Sequence, residues 1–194
     1  MNRVNLLWFD DDLMPRSEVV TPERGRLQTW LRYLKTGDRP DRICLIEVCD
    51  LATLRRELEQ RARAPAGDAE HIDAFLIDVL WRQRGIDEWN FSEFHPAFKD
   101  ESVLPLDAGA QLIGLMRNER YQSNRPAWCA AFDRHPFAVL TTLTDNRDTL
   151  ERHIDARVLA NIQILVKSSA GGDSLDPDPA FCTWIDRLQR RIQP

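Results

Sequence analysis

Apolar residues fall along this chain in two alternating patterns. Short continuous runs occur at 4–9 (VNLLWF), 43–48 (ICLIEV), 73–77 (DAFLI), 137–142 (FAVLTT) and 162–166 (IQILV). Each has the length of a strand, and none alternates cleanly between apolar and polar. That pattern predicts strands covered on both faces, as in a parallel sheet.

Between the runs the apolar period lengthens to that of a helix. Over 22–35, Leu27, Trp30, Leu31 and Leu34 share a face behind a Thr21 cap and Pro22 at the first helical position. Over 50–63, Asp50 is placed to cap and Leu51, Leu54 and Leu58 align. Leu112, Ile113 and Met116 mark a helix over 107–121, and Leu150, Ile154 and Val158 one over 145–159. Phe181, Trp184, Ile185, Leu188 and Ile192 give the helix over 178–192 a stripe that should lie on a sheet. The basic stretch RLQRR is the solvated face of that helix.

Strands and helices alternating in this way predict a doubly wound α/β protein. The expected form is a five-stranded parallel sheet, order 2-1-3-4-5, in a flavodoxin-like three-layer sandwich. A chain of 194 residues suits one such domain. The exception to regular spacing is 81–106, where Trp81, Trp89, Phe91, Phe94 and Phe98 interrupt an otherwise polar stretch. It reads as an insertion that serves either as a lid or docking surface or as cover for the domain's own flank.

Composition narrows the function. A net charge of −5 and a pI of 5.4 carry no nucleic-acid footprint. No run approaches the ~20 apolar residues of a membrane helix, and no leader pattern opens the chain, so a cytoplasmic location is expected. Cys44, Cys49, Cys129 and Cys182 lack paired spacing and are expected as reduced, mostly buried thiols.

In doubly wound sheets ligands bind outside the carboxyl ends of the strands. The first run ends in Asp10, Asp11 and Asp12, the third in Asp78, the fourth in Thr141 and Thr142, and the fifth in Lys167. Clustered carboxylates repel unless a hard cation neutralises them, and oxygen ligands suit Mg²⁺. With an ammonium and a hydroxyl opposite, such a cluster can accept a phosphoryl group on one acid.

These strand ends resemble the receiver domains of two-component response regulators. The resemblance implies Asp10 and Asp11, in WFDDD, as metal ligands, and Asp78, in LIDVL, as phosphoacceptor. It implies Asp78 itself and the backbone carbonyl of Leu80 as further metal ligands, and Thr141 and Lys167 as phosphoryl contacts. LPLDAG (104–109) is similar to the Pro and Gly signals after the phosphoacceptor. The implied cofactor is Mg²⁺, and the implied donor is a histidine kinase or phosphotransfer protein. No output domain is expected to follow, so output would pass through the 145–159 and 178–192 helical regions or the insertion, to a downstream protein or a second copy.

The resemblance has limits. Ser168 stands where the family has proline, Ile164 where it has an aromatic switch residue, and Thr142 where it has a small residue. A receiver-like fold that only binds partners therefore stays open. So does a haloacid-dehalogenase-like phosphatase, with Asp10 as nucleophile and Asp12 as acid in FDDDL. In that alternative GGDSLD (171–176) follows Lys167 too closely to come from another strand, and Asp78 has no task.

Overall fold

The computed structural model describes residues 3–10, 13, 30–35, 43–65, 68–79, 108–117, 125–141, 147–166 and 179–192. Five strands form one sheet: β1 (Val4–Phe9), β2 (Ile43–Val48), β3 (Ala74–Asp78), β4 (Phe137–Thr141) and β5 (Gln163–Val166). All neighbouring pairs are parallel, and the order is β2-β1-β3-β4-β5. The architecture is the flavodoxin-like one expected from the alternation. Every residue of β1, β3 and β4 is buried, which is why their sequences run apolar without a break. The edge strands β2 and β5 are half-buried, and Ile164 is 39% exposed.

The helices are α1 (30–35), α2 (Leu51–Arg61), α3 (Ala108–Arg117), α4 (Arg147–His153), α5 (Ala156–Leu159) and α6 (Pro179–Ile192). Asp50 caps α2 as expected, its carboxylate accepting from the Thr53 N–H at 2.8 Å. The single helix expected over 145–159 is corrected to two, α4 and α5. The chain leaves the first at Ile154, and the Asp155 carboxylate accepts from the Arg157 N–H at 2.8 Å to start the second. A side chain that bonds its own neighbouring backbone competes with helix continuation. One element was unanticipated, a 3₁₀ helix at Ala127–Phe132 whose sequence, AWCAAF, has no amphipathic period.

Two cores flank the sheet. Leu7, Phe9, Ile77 and Val139 face α2, α3 and α4, meeting Leu54, Leu58, Ile113 and Leu150. Leu6, Trp8, Leu76 and Leu140 face α1 and α6. There Trp30 stacks on Phe181 with ring centroids 4.5 Å apart. α3 is unusual for an outer-layer helix, because every residue from 109 to 116 is buried. The sequence alone gave it no such status, since Gln111 stands among the apolar positions.

Candidate functional site

The register of the central strands assembles the acidic rim. Phe9 pairs with Ile77, so Asp10 and Asp78 occupy the next rung of two neighbouring strands, whose backbones run about 4.8 Å apart. The Asp10 N–H donates to the Val48 carbonyl at 3.1 Å, and its own carbonyl accepts from the Leu13 N–H at 3.1 Å. Asp78 pairs with Leu140, and the Val79 N–H donates to the Leu140 carbonyl at 3.0 Å, extending the ladder one residue beyond β3. Thr141 ends β4 one rung further out, paired with Val166 of β5. Exposure is 0% at Asp10 and 1% at both Asp78 and Thr141.

Strand alternation sets the approach of each side chain. Asp10 and Asp78 continue the face of Trp8 and Leu76, whereas Thr141 continues the opposite face, that of Val139. The two faces meet only over the strand ends, so a ligand touching all three sits on the rim of the sheet.

Of the residues expected at the site, the structure brings Asp10, Asp78 and Thr141 to one end of three adjacent strands. Asp11, Leu80 and Lys167 lie outside the described residues, as do Thr142, Ser168 and the insertion at 81–106. Ile164, where the resemblance implies an aromatic, lies in β5 and is exposed.

Two buried carboxylates on adjacent strand ends need positive charge or a proton to stay within one site. Their oxygen donors suit a hard divalent cation, so the donor chemistry fits Mg²⁺. Among the described residues no group of three or more His, Cys, Asp or Glu side chains gathers elsewhere or here. The described part of the donor set is the pair Asp10 and Asp78.

The glycine of LPLDAG has a definite task. The Gly109 N–H, in the first turn of α3, donates to the Val79 carbonyl at 3.3 Å. A Cβ on Gly109 would overlap the Asp78 carbonyl oxygen and stand 2.8 Å from both the Asp78 carbonyl carbon and Val79 Cα. Only a residue without a side chain lets α3 start against the Asp78–Val79 peptide.

The chain holds four cysteines. All four are free thiols. Cys129 alone is fully buried, and burial pushes its thiol up to about 12. The expectation of mostly buried thiols is corrected: Cys44, Cys49 and Cys182 are half-buried.

A second polar arrangement, at the opposite end of the sheet, escaped the sequence reading. His71 and His135 precede β3 and β4, and their Nε2 atoms are 3.0 Å apart. The signal was present, since histidines entering two adjacent strands must be neighbours, but the turn geometry that aims them is not written in the sequence.

No family model matches this chain, and no curated protein or solved structure matches it. Among the described residues no helix is long and apolar enough to cross a membrane.

Proposed function

We propose that this protein is a receiver-like signalling domain that takes a phosphoryl group onto Asp78. The observation that carries the reading is the burial of Asp10, Asp78 and Thr141 at the carboxyl ends of three neighbouring parallel strands in matched register. Asp78 is the nucleophile of the set because it ends the strand flanked by both others, β1 and β4. One carboxylate oxygen attacks phosphorus, the P–N bond of a phosphohistidine donor breaks, and the imidazole leaves with the electron pair.

Asp10, Asp11 and Asp78, with the Leu80 carbonyl, would hold Mg²⁺, which supplies charge neutralisation for two anionic reactants when bound. Lys167 would place an ammonium against the phosphoryl oxygens, and the Thr141 hydroxyl would donate to one of them. The donor is a histidine kinase or a phosphotransfer protein, and the output is an interaction with another protein or a second copy.

Incubating the chain with a small acyl phosphate and Mg²⁺, trapping with borohydride and mapping the labelled peptide tests this. Label on Asp78 supports the reading. Label on Asp10 instead favours the haloacid-dehalogenase-type alternative, in which Asp78 would be a buried bystander. No label, with no beryllofluoride binding, favours a receiver-like fold that acts by binding alone, a version consistent with isoleucine rather than an aromatic at 164.

A further inference from the structure

The ends of β3 and β4 far from the acidic rim are joined by a hydrogen bond between two histidines. His71 is 8% exposed, and its Nδ1 lies 3.1 Å from the Ala64 carbonyl oxygen. A carbonyl only accepts, so the His71 proton is on Nδ1 and its Nε2 is bare. His135 therefore donates its Nε2–H to His71 across 3.0 Å. Its Nδ1 is then a buried lone pair with no hydrogen-bond partner among the described residues.

The charged groups around this pair come from three directions. Asp73 faces His71 from the start of β3. Arg117, the last residue of α3, donates from Nη1 to the Asp133 carbonyl and from Nη2 to the His135 carbonyl. Its guanidinium carbon stands 5.0 Å from the Phe137 ring centroid, at the entry to β4. Arg125 pairs with the Asp133 carboxylate on the outer side. Burial, the facing His71 and Arg117 hold His135 down to about 4, so His135 is uncharged at neutral pH.

α3 thus touches both ends of the β3–β4 pair. Its first turn rests on the Asp78–Val79 peptide through Gly109, with no room for even a methyl group. Its last residue grips the carbonyls of the turn that carries His135. Between them the helix spans about 12 Å and is buried from 109 to 116. Close-packed interiors compress little and pass displacement on.

We propose that α3 couples the Asp78 end of the sheet to the His71–His135 pair, so that a change of state at Asp78 alters the geometry of that histidine bond. This rests on Asp78 being the residue whose state changes. A shift of the Asp78–Val79 peptide has no slack to take up at Gly109. The helix carries it lengthwise to Arg117, and the turn at 133–136 moves with the guanidinium. An N–H···N bond weakens steeply with angle and distance, which makes the pair the readout. The route runs through α3 and bypasses β5, where Ile164 supplies no aromatic ring.

Imidazole ¹⁵N spectra of the full chain read the pair directly, with His71 and His135 assigned from His71→Gln and His135→Gln. Two perturbations act at the far end. Asp78→Asn replaces the carboxyl by an amide whether or not the site accepts phosphate, and beryllofluoride with Mg²⁺ loads the site, with ¹⁹F spectra reporting occupancy. Both should move the two Nε2 resonances by more than a line width. Arg117→Lys, whose single ammonium cannot hold two carbonyls in a fork, should remove most of that response. Unmoved imidazoles in Asp78→Asn, or a response that survives Arg117→Lys intact, would overturn the coupling. A bound ¹⁹F signal beside unmoved imidazoles sinks the coupling and leaves the phosphoacceptor reading standing. Imidazoles that move in Asp78→Asn without any bound ¹⁹F signal support the coupling and sink the phosphoacceptor reading instead.

Discussion

Single side chains at three positions carry most of what this protein can be asked. Asp78→Asn keeps the size of the buried group and removes its nucleophilic oxygen, so borohydride-trapped label should fall to background while the urea midpoint stays measurable. Gly109→Ala forces a methyl group into the Asp78 carbonyl. Overpacking of this kind costs about 1–3 kcal/mol, to be read as a lower urea midpoint with an unchanged m-value. Gln111 is the reverse case. It is 2% exposed, and its Oε1 has no hydrogen-bond partner among the described residues. Gln111→Met keeps the volume and removes the orphaned carbonyl, so it should stabilise by about 1 kcal/mol in the same assay.

Among the elements, α6 shows how much of a fold a periodic stripe can specify. Phe181, Trp184, Ile185 and Leu188 were readable as one face, and all four are buried against the sheet. Phe181→Ala removes the ring that stacks on Trp30 and touches the edge of Tyr33, and it should cost about 3–5 kcal/mol in urea unfolding. The strands were legible because burial on both faces leaves an unbroken apolar run, and the order of those runs brought Asp10, Asp78 and Thr141 to one rim. The rest was hidden for identifiable reasons. Ile154 and Val158 keep a helical period across the break at Asp155, so the pattern conceals the boundary between α4 and α5. The 3₁₀ helix at Ala127–Phe132, AWCAAF, is too short for its apolar residues to declare a face. The His71–His135 bond depends on two turns whose aim is set by Arg117 and the Ala64 carbonyl, neither of which is signalled by spacing.

The molecule as a whole inherits a pH dependence from its lower edge. Unfolded, His135 takes a proton near its ordinary 6.5, but folded only near 4, because burial disfavours the charge. Between those values the unfolded chain binds more protons, so stability should be complete above 6.5 and fall as pH drops towards about 4. Burial raises the Asp73 carboxyl despite the Asn5 N–H and His71, which lower it. That group favours the fold at low pH and partly offsets the loss at the acid end. Urea midpoints measured across this range should slope with pH in the wild type. They should flatten in His135→Phe, whose ring can remain beside Phe75 and Phe132. The larger organisation has a consequence of its own. One face of the sheet is closed jointly by 30–35 and 179–192, segments far apart in the chain. A polypeptide still emerging from the ribosome cannot seal that face until its closing helix has cleared the exit tunnel. Until then Leu6, Trp8 and Leu76 lack the part of their cover that the later segment brings.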